Sequence, residues 1–124
     1  MRPPLQWSEE DLFELISLGE QESLVLDYKA SDALGQTDKK KNELSKDVSA
    51  FANSAGGTIV YGMLENGHVP TALDSGFDRS IISKEWLEQV INSRIQRRID
   101  GVTINQINLT TSRPGRVAYV VSIP

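Results

Sequence analysis

Residues 38–64, DKKKNELSKDVSAFANSAGGTIVYGML, decide how this chain folds. Leu44, Val48, Phe51 and Ala52 recur at the three- and four-residue spacing that lines one side of an α-helix. Asp38 suits the N-cap, where a short polar side chain accepts an otherwise orphaned backbone N–H. At the other end Asn53, Gly56 and Gly57 tolerate positive φ, so the helix can stop and the chain can reverse within a few residues. Residues 58–64, with Ile59, Val60 and Tyr61 at their centre, read as a strand. A helix therefore feeds almost directly into a buried strand, and the other elements must pack around that unit.

Working outward, Ser8, Glu9, Glu10 and Asp11 open a helix whose apolar side carries Leu12, Leu15, Ile16 and Leu18, and Gly19 ends it. A polar connector, 20–23, leads to a strand over 24–30, with Leu24, Leu26 and Tyr28 on one face and Val25, Asp27 and Lys29 on the other. Residues 31–37 read as a loop. Beyond residue 64, Asn66-Gly67 between apolar segments signals a hairpin returning through 69–73, and Pro70 confines that strand to an edge. The spacing over 83–99 predicts a third helix with Trp86, Leu87, Val90, Ile91 and Ile95 inward, and Arg94 and Arg98 sharing an outer face beside Arg97. Gly101 stops it. Residues 103–109 and 116–123 then alternate as an antiparallel pair around Pro114-Gly115. This order predicts an α+β fold: one domain, 1–124, with a mixed, mainly antiparallel sheet packed against about three helices.

At 124 residues the chain has room for one modest core. With no cysteine it excludes a disulfide framework, a thiolate zinc site and a cysteine nucleophile, and fits a reducing, cytoplasmic setting. No apolar run is long enough to span a bilayer, so no membrane partner is expected. The apolar ending AYVVSIP leads to the expectation that this is part of a longer protein. The net charge of −4 runs against the electrostatic footprint of a nucleic-acid binder. Local charge is another matter: Lys39, Lys40 and Lys41 cluster, as do Arg94, Arg97 and Arg98.

The segment SAFANSAGGTIVYG, preceded by ESLVLDYK and followed by an acidic turn, resembles the Schlafen-type AlbA_2 domain. The pattern is an acid at Glu22, a second acid five positions on within Asp27-Tyr28-Lys29, a helix ending Ala-Phe-Ala-Asn, two glycines, and a strand closing on Gly62. It covers 22 to about 73. In the nuclease members of the family, the resemblance implies, carboxylates at the positions of Glu22, Asp27 and Glu65 hold a divalent cation, Mg²⁺ or Mn²⁺, and cut RNA, with Lys29 beside them. Asp27 stands where the family has Glu, and Glu65 where it has Asp. Each change alters reach by one methylene, and a misplacement of about 1 Å can cost about a hundredfold in rate.

Carboxylates suit this chemistry because hard cations prefer oxygen ligands and a bound cation neutralises phosphate charge. Spacing adds a condition: residues five apart on one strand point to opposite faces, so Glu22 meets Asp27 only from a bent connector before the strand. The ordinary alternative is a surface acid, a lysine-paired acid and a hairpin residue. Gly56-Gly57 follows a helix and opens a strand with no lysine after it, the reverse of a phosphate-binding P-loop, so ATPase activity is expected outside this chain. His68, the single histidine, cannot build a triad and reads as a solvent-facing hairpin residue. The aromatic residues are too dispersed for a base-stacking platform.

Three readings result. One is a nucleic-acid-binding module, for DNA or RNA, of a regulator or defence protein, setting Lys29, Lys39, Lys40, Lys41, Arg94, Arg97 and Arg98 against phosphates. The second is a divalent-metal endoribonuclease with Glu22, Asp27, Lys29 and Glu65 as its catalytic set, a homodimer supplying the second lobe that family nucleases have. The third, favoured by the acidic balance, is a protein-interaction domain.

Overall fold

The seven residues VAYVVSI at the end of the chain are apolar at every position but Ser122, a run suited to a strand covered on both faces. That strand forms the middle of the molecule. The computed structural model describes residues 2–95 and 97–124. Its helices and strands run α1 (Glu9–Leu18), β1 (Leu26–Lys29), α2 (Asp38–Ala52), β2 (Gly57–Tyr61), β3 (Met63–Asn66), β4 (Val69–Leu73), α3 (Lys84–Arg94), β5 (Thr103–Asn108) and β6 (Val117–Ile123). The main sheet has the order β1-β2-β6-β5, with β1 parallel to β2 and the other neighbours antiparallel. β3 and β4 pair separately. This is the mixed α+β domain the element order predicts.

Alternation along β6 builds two apolar layers. Val117, Tyr119, Val121 and Ile123, with Ile59, Tyr61 and Ile104, face Leu44 and Val48 of α2 and Leu87, Val90 and Ile91 of α3. Ala118 and Val120, with Tyr28, Val60 and Ile107, face Trp7, Leu12 and Leu15 and the hairpin residues Met63 and Leu73. Each such side chain taken from water is worth ~1.5–3 kcal/mol, so a short chain with two covered sheet faces reaches a workable core.

The central unit forms as expected, with differences at its ends. Thr37, not Asp38, is the N-cap of α2, its hydroxyl accepting the Lys40 N–H at 3.3 Å. Asn53 keeps a right-handed φ of −80°, and the reversal falls on Gly56 at φ 77°, where a Cβ would lie 2.5 Å from the Ile123 carbonyl oxygen. The strand expected over 58–64 is two strands. Gly62, at φ 106°, turns the chain out of the main sheet, donating its N–H to the Lys29 carbonyl at 2.7 Å and accepting from Asp74 at 3.0 Å.

Three further boundaries move. β1 begins at Leu26, because Ser23 donates to the Leu26 carbonyl at 2.9 Å and closes a turn that leaves Leu24 88% exposed rather than beside Tyr28. The two central hairpin residues are Gly67 and His68, both at positive φ (58° and 69°), while Asn66 ends β3. α3 stops at Arg94, not residue 99, and Ile95 is extended. Continuing the helix would stack Arg94, Arg97 and Arg98 at three- and four-residue spacing, where like charges repel. Ile95, and Ile99 and Val102 beyond it, all touch the core instead, while Gln96, within the expected helix, lies outside the described residues.

Candidate functional site

The bend expected before β1 is present and is fixed by backbone bonds from the hairpin. Glu22 donates its N–H to the His68 carbonyl at 2.8 Å, and the 23–26 turn brings its side chain back over the strand. One carboxylate oxygen of Glu22 then accepts the Tyr28 N–H at 3.0 Å, and the other meets Nδ1 of His68 at 2.9 Å. Glu65 reaches the same place because β3 and β4 slip register between Leu64 and Glu65, a bulge that re-aims the side chain. Its carboxylate accepts the His68 N–H at 2.9 Å. One ligand atom from each of Glu22, Glu65 and His68 lies within 4.8 Å of the others.

Asp27 completes the cluster from the strand side. Burial pushes its carboxyl up to about 6, and the hydrogen bond with Glu22 adds to this, against the pull of Lys29. Glu22 is also penalised by burial, yet the bonds from Asp27, the Tyr28 N–H and His68 hold it below the usual carboxylate range. Its bond to His68 raises the imidazole. Lys29 sits between two acids, 3.4 Å from Asp27 and 3.8 Å from Asp47. Burial lowers its ammonium, and those two carboxylates more than offset this, leaving it raised. Burial likewise lifts Asp47 despite Lys29.

Glu22 thus meets Asp27 on one side and, through His68, Glu65 on the other, with Lys29 beside Asp27; the three ligand groups that approach within 4.8 Å of one another are Glu22, Glu65 and His68, and Asp27 is not among them. The sequence reading missed His68, Asp47 and the apolar wall beside them. A hollow of about 390 Å³ joins Glu22, Asp27 and His68 to Leu24, Leu26 and Phe51. Phe51, read as core, is shared: it packs on the core and faces this hollow. His68 had one weak signal, its place directly after a hairpin glycine.

The other cations spread over separate hollows. Lys39 and Lys40 line one with Lys29, whereas Lys41 is half-buried in the first turn of α2. Arg94 and Arg97 line another with Lys46 and Asn42. Arg94 is already engaged, donating to Asn42 and Asp38 at 2.7 Å each. Arg98, 88% exposed, pairs with Asp100 at 3.1 Å. It does not share a helix face with Arg94, since α3 has ended.

A small mixed-sheet domain with carboxylates, an imidazole and a lysine gathered at an edge strand belongs to the class of compact α+β modules that carry a polar site on a sheet rim. The family model for Schlafen, AlbA_2 matches residues 22–124, and the chain belongs to that family. The match runs from Glu22 to the last residue, well past the central motif, and leaves α1 outside. No curated protein matches the chain. Among the described residues no helix is long and apolar enough to cross a membrane.

Proposed function

We propose that this Schlafen AlbA_2 domain binds nucleic acid by its sugar-phosphate backbone, through a divalent cation held at Glu22, Glu65 and His68. The observation that carries this is the approach of those three ligand atoms to within 4.8 Å of one another. It also accounts for the charge. A domain of net charge −4 with scattered cations gains little from direct phosphate contacts, and a bridging cation lets carboxylates and phosphates share a site. The donor set fits Mn²⁺ or Mg²⁺ by its carboxylates, and the imidazole favours the former. Lys29 gives a direct phosphate contact, Arg97 and Lys46 add surface charge, and the Leu24, Leu26 and Phe51 wall receives the apolar face of a sugar or base.

The test is a filter-binding titration of DNA and RNA oligonucleotides with Mn²⁺, with Mg²⁺ and with EDTA. Binding that needs the cation, and that Glu22→Gln and His68→Ala each weaken, is the expected result. Equal binding in EDTA overturns the bridging role, and no binding at all favours a protein-interaction domain.

A second reading, metal-dependent endoribonuclease activity, is favoured by Asp27, a carboxylic acid near 6 against Glu22 and beside Lys29. Such a group can exchange a proton near neutral pH. A bound divalent cation would supply charge neutralisation and polarisation at the phosphoryl group. Mn²⁺-dependent cutting of structured RNA that vanishes in Asp27→Ala supports it, and undiminished cutting by that variant marks a contaminant. Light scattering with and without oligonucleotide tests whether a second copy joins the complex.

A further inference from the structure

The two edges of the main sheet are finished differently. At β1 the outward Tyr28 N–H is taken by the Glu22 carboxylate at 3.0 Å, and β3 of the hairpin stands beside the strand. At β5, the other edge, the outer side is bare. Leu109 donates its N–H to the Arg116 carbonyl at 3.0 Å, and the antiparallel register with β6 runs unbroken from there. Thr103, Asn105 and Ile107 therefore exchange hydrogen bonds with β6, and Ile104, Gln106 and Asn108 turn their N–H and carbonyl groups outward. Among the described residues no hydrogen bond reaches those outward groups.

An unpaired edge is a template for another strand, and folded proteins blunt it with a charge, a proline or a bulge. β5, reading TINQIN, has none of the three. The N-terminal turn Pro4–Gln6 does not close it, because the Asn105 side chain holds that turn over the α1 face of the strand, donating to the Pro4 and Trp7 carbonyls at 3.0 and 2.9 Å. A hollow of about 350 Å³ borders the first part of the strand, lined by Leu5 of that turn, Lys84 and Glu88 of α3, and Thr103 and Ile104. Leu5 is 54% exposed there.

We propose that this edge pairs antiparallel with β5 of a second copy of the chain, about a two-fold axis at Gln106. The edge is its own complement. Ile104 and Asn108 lie two residues to either side of Gln106, so each outward residue of one strand meets an outward residue of the other, with Gln106 opposite its own copy. The seam carries no charge, so the net charge of −4 on each copy is not set against itself there. On the rim, Lys84 and Glu88 stand one helical turn apart, and the two-fold axis brings that pair against its own reverse, opposite signs together. Two four-stranded sheets become one of eight, with the acid clusters at its outer rims about 34 Å apart. The pairing needs neither cation nor nucleic acid, so its test stands apart from the bridging role proposed above.

Sedimentation velocity on the whole chain across a concentration series, in EDTA and without oligonucleotide, reads the association, and a reversible dimer is the expected result. Gln106→Lys sets like charges opposite each other on the axis and should weaken the dimer about fivefold. Asn108→Pro removes an outward N–H that β6 does not use, and should weaken it too while leaving the far-ultraviolet circular dichroism of the chain unchanged. Register has a direct readout because the chain has no cysteine. Gln106→Cys puts two sulfurs across the axis at a hydrogen-bonded pair, where a Cα–Cα distance of about 5.5 Å suits a disulfide, so mild oxidation should link two chains. Asn108→Cys puts them about 14 Å apart and should link far less. A dimer indifferent to both Gln106→Lys and Asn108→Pro, or linkage through Asn108→Cys in preference to Gln106→Cys, overturns the assignment. A chain monomeric at every concentration overturns it as well and leaves the edge to a strand of another protein.

Discussion

Glu9 and Asp27 are acids treated in opposite ways by one small fold. Glu9, buried at the start of α1, receives hydrogen bonds from the Thr111 N–H at 2.9 Å, the Ser112 N–H at 2.9 Å and the Ser112 hydroxyl at 2.6 Å. Burial alone would raise its carboxyl, and the donors on Ser112 and Thr111 together hold it below the usual value. Asp27 is half-buried with the Lys29 ammonium at 3.4 Å in place of such a set of donors, is set against another carboxylate, and is raised to about 6. A carboxylate that is fully satisfied closes a structure. One left under tension with its neighbours has free valence for a cation, a proton or a ligand. The first lies outside the stretch matched to the family and the second inside it.

Breaking the satisfied site should have the largest effect. Glu9→Ala leaves two backbone N–H groups and a hydroxyl near the β5–β6 turn without their acceptor, a loss of about 3 kcal/mol read as a lower urea midpoint. Because the folded carboxyl lies below its unfolded value, the stability it supplies is present above the unfolded value and is lost as pH falls through the folded one. The difference between Glu9→Ala and the parent should therefore shrink in acid. An unchanged midpoint would show that α1 is held by its apolar side alone.

Relieving the strained site should have a smaller effect of opposite sign. Asp27 is raised in the folded state, so ionising it costs stability above about pH 6, and that cost disappears as pH falls to the unfolded value of 3.8. Asp27→Asn should gain about 1–2 kcal/mol at pH 7.5, after allowing for partial solvent screening, and nothing at pH 4. Adding Mn²⁺ should stabilise parent and variant alike, since Glu22, Glu65 and His68 are intact in both. A variant less stable than the parent at pH 7.5 without metal would mean that Asp27 holds Lys29 in a structural pair.

What was legible in the chain was local. Helix α2 and its glycine exit follow from spacing and from the crowding at Gly56, and β6 announces its burial by its composition. Glu22 and Asp27 were readable as a pair on condition of a bend, and the bend is made by a long-range bond from Glu22 to the His68 carbonyl, which no periodicity records. Glu65 depends on a register slip and His68 on a left-handed turn residue. The break at Gly62 needed Lys29 and Asp74 as partners from other segments. Arginines 94, 97 and 98 were grouped by helical spacing that ends at Arg94.

That last difference separates two arginines a sequence would treat alike. Arg94 is anchored on α2 by Asn42 and Asp38, whereas Arg98 is 88% exposed and pairs with Asp100 in the chain segment after α3. Arg94→Glu should lower the melting temperature measurably, because it sets a carboxylate against Asp38 where α3 packs on α2. Arg98→Glu should leave it unchanged, as exposed pairs contribute little. In nucleic-acid binding the order can invert: a free guanidinium that meets phosphate reduces the logarithmic salt slope by about one when reversed, while an arginine already bound to the protein leaves it alone. A salt slope that falls with Arg94→Glu and not with Arg98→Glu would instead show that Arg94 leaves Asp38 to meet the strand, making the α2–α3 groove part of the binding face.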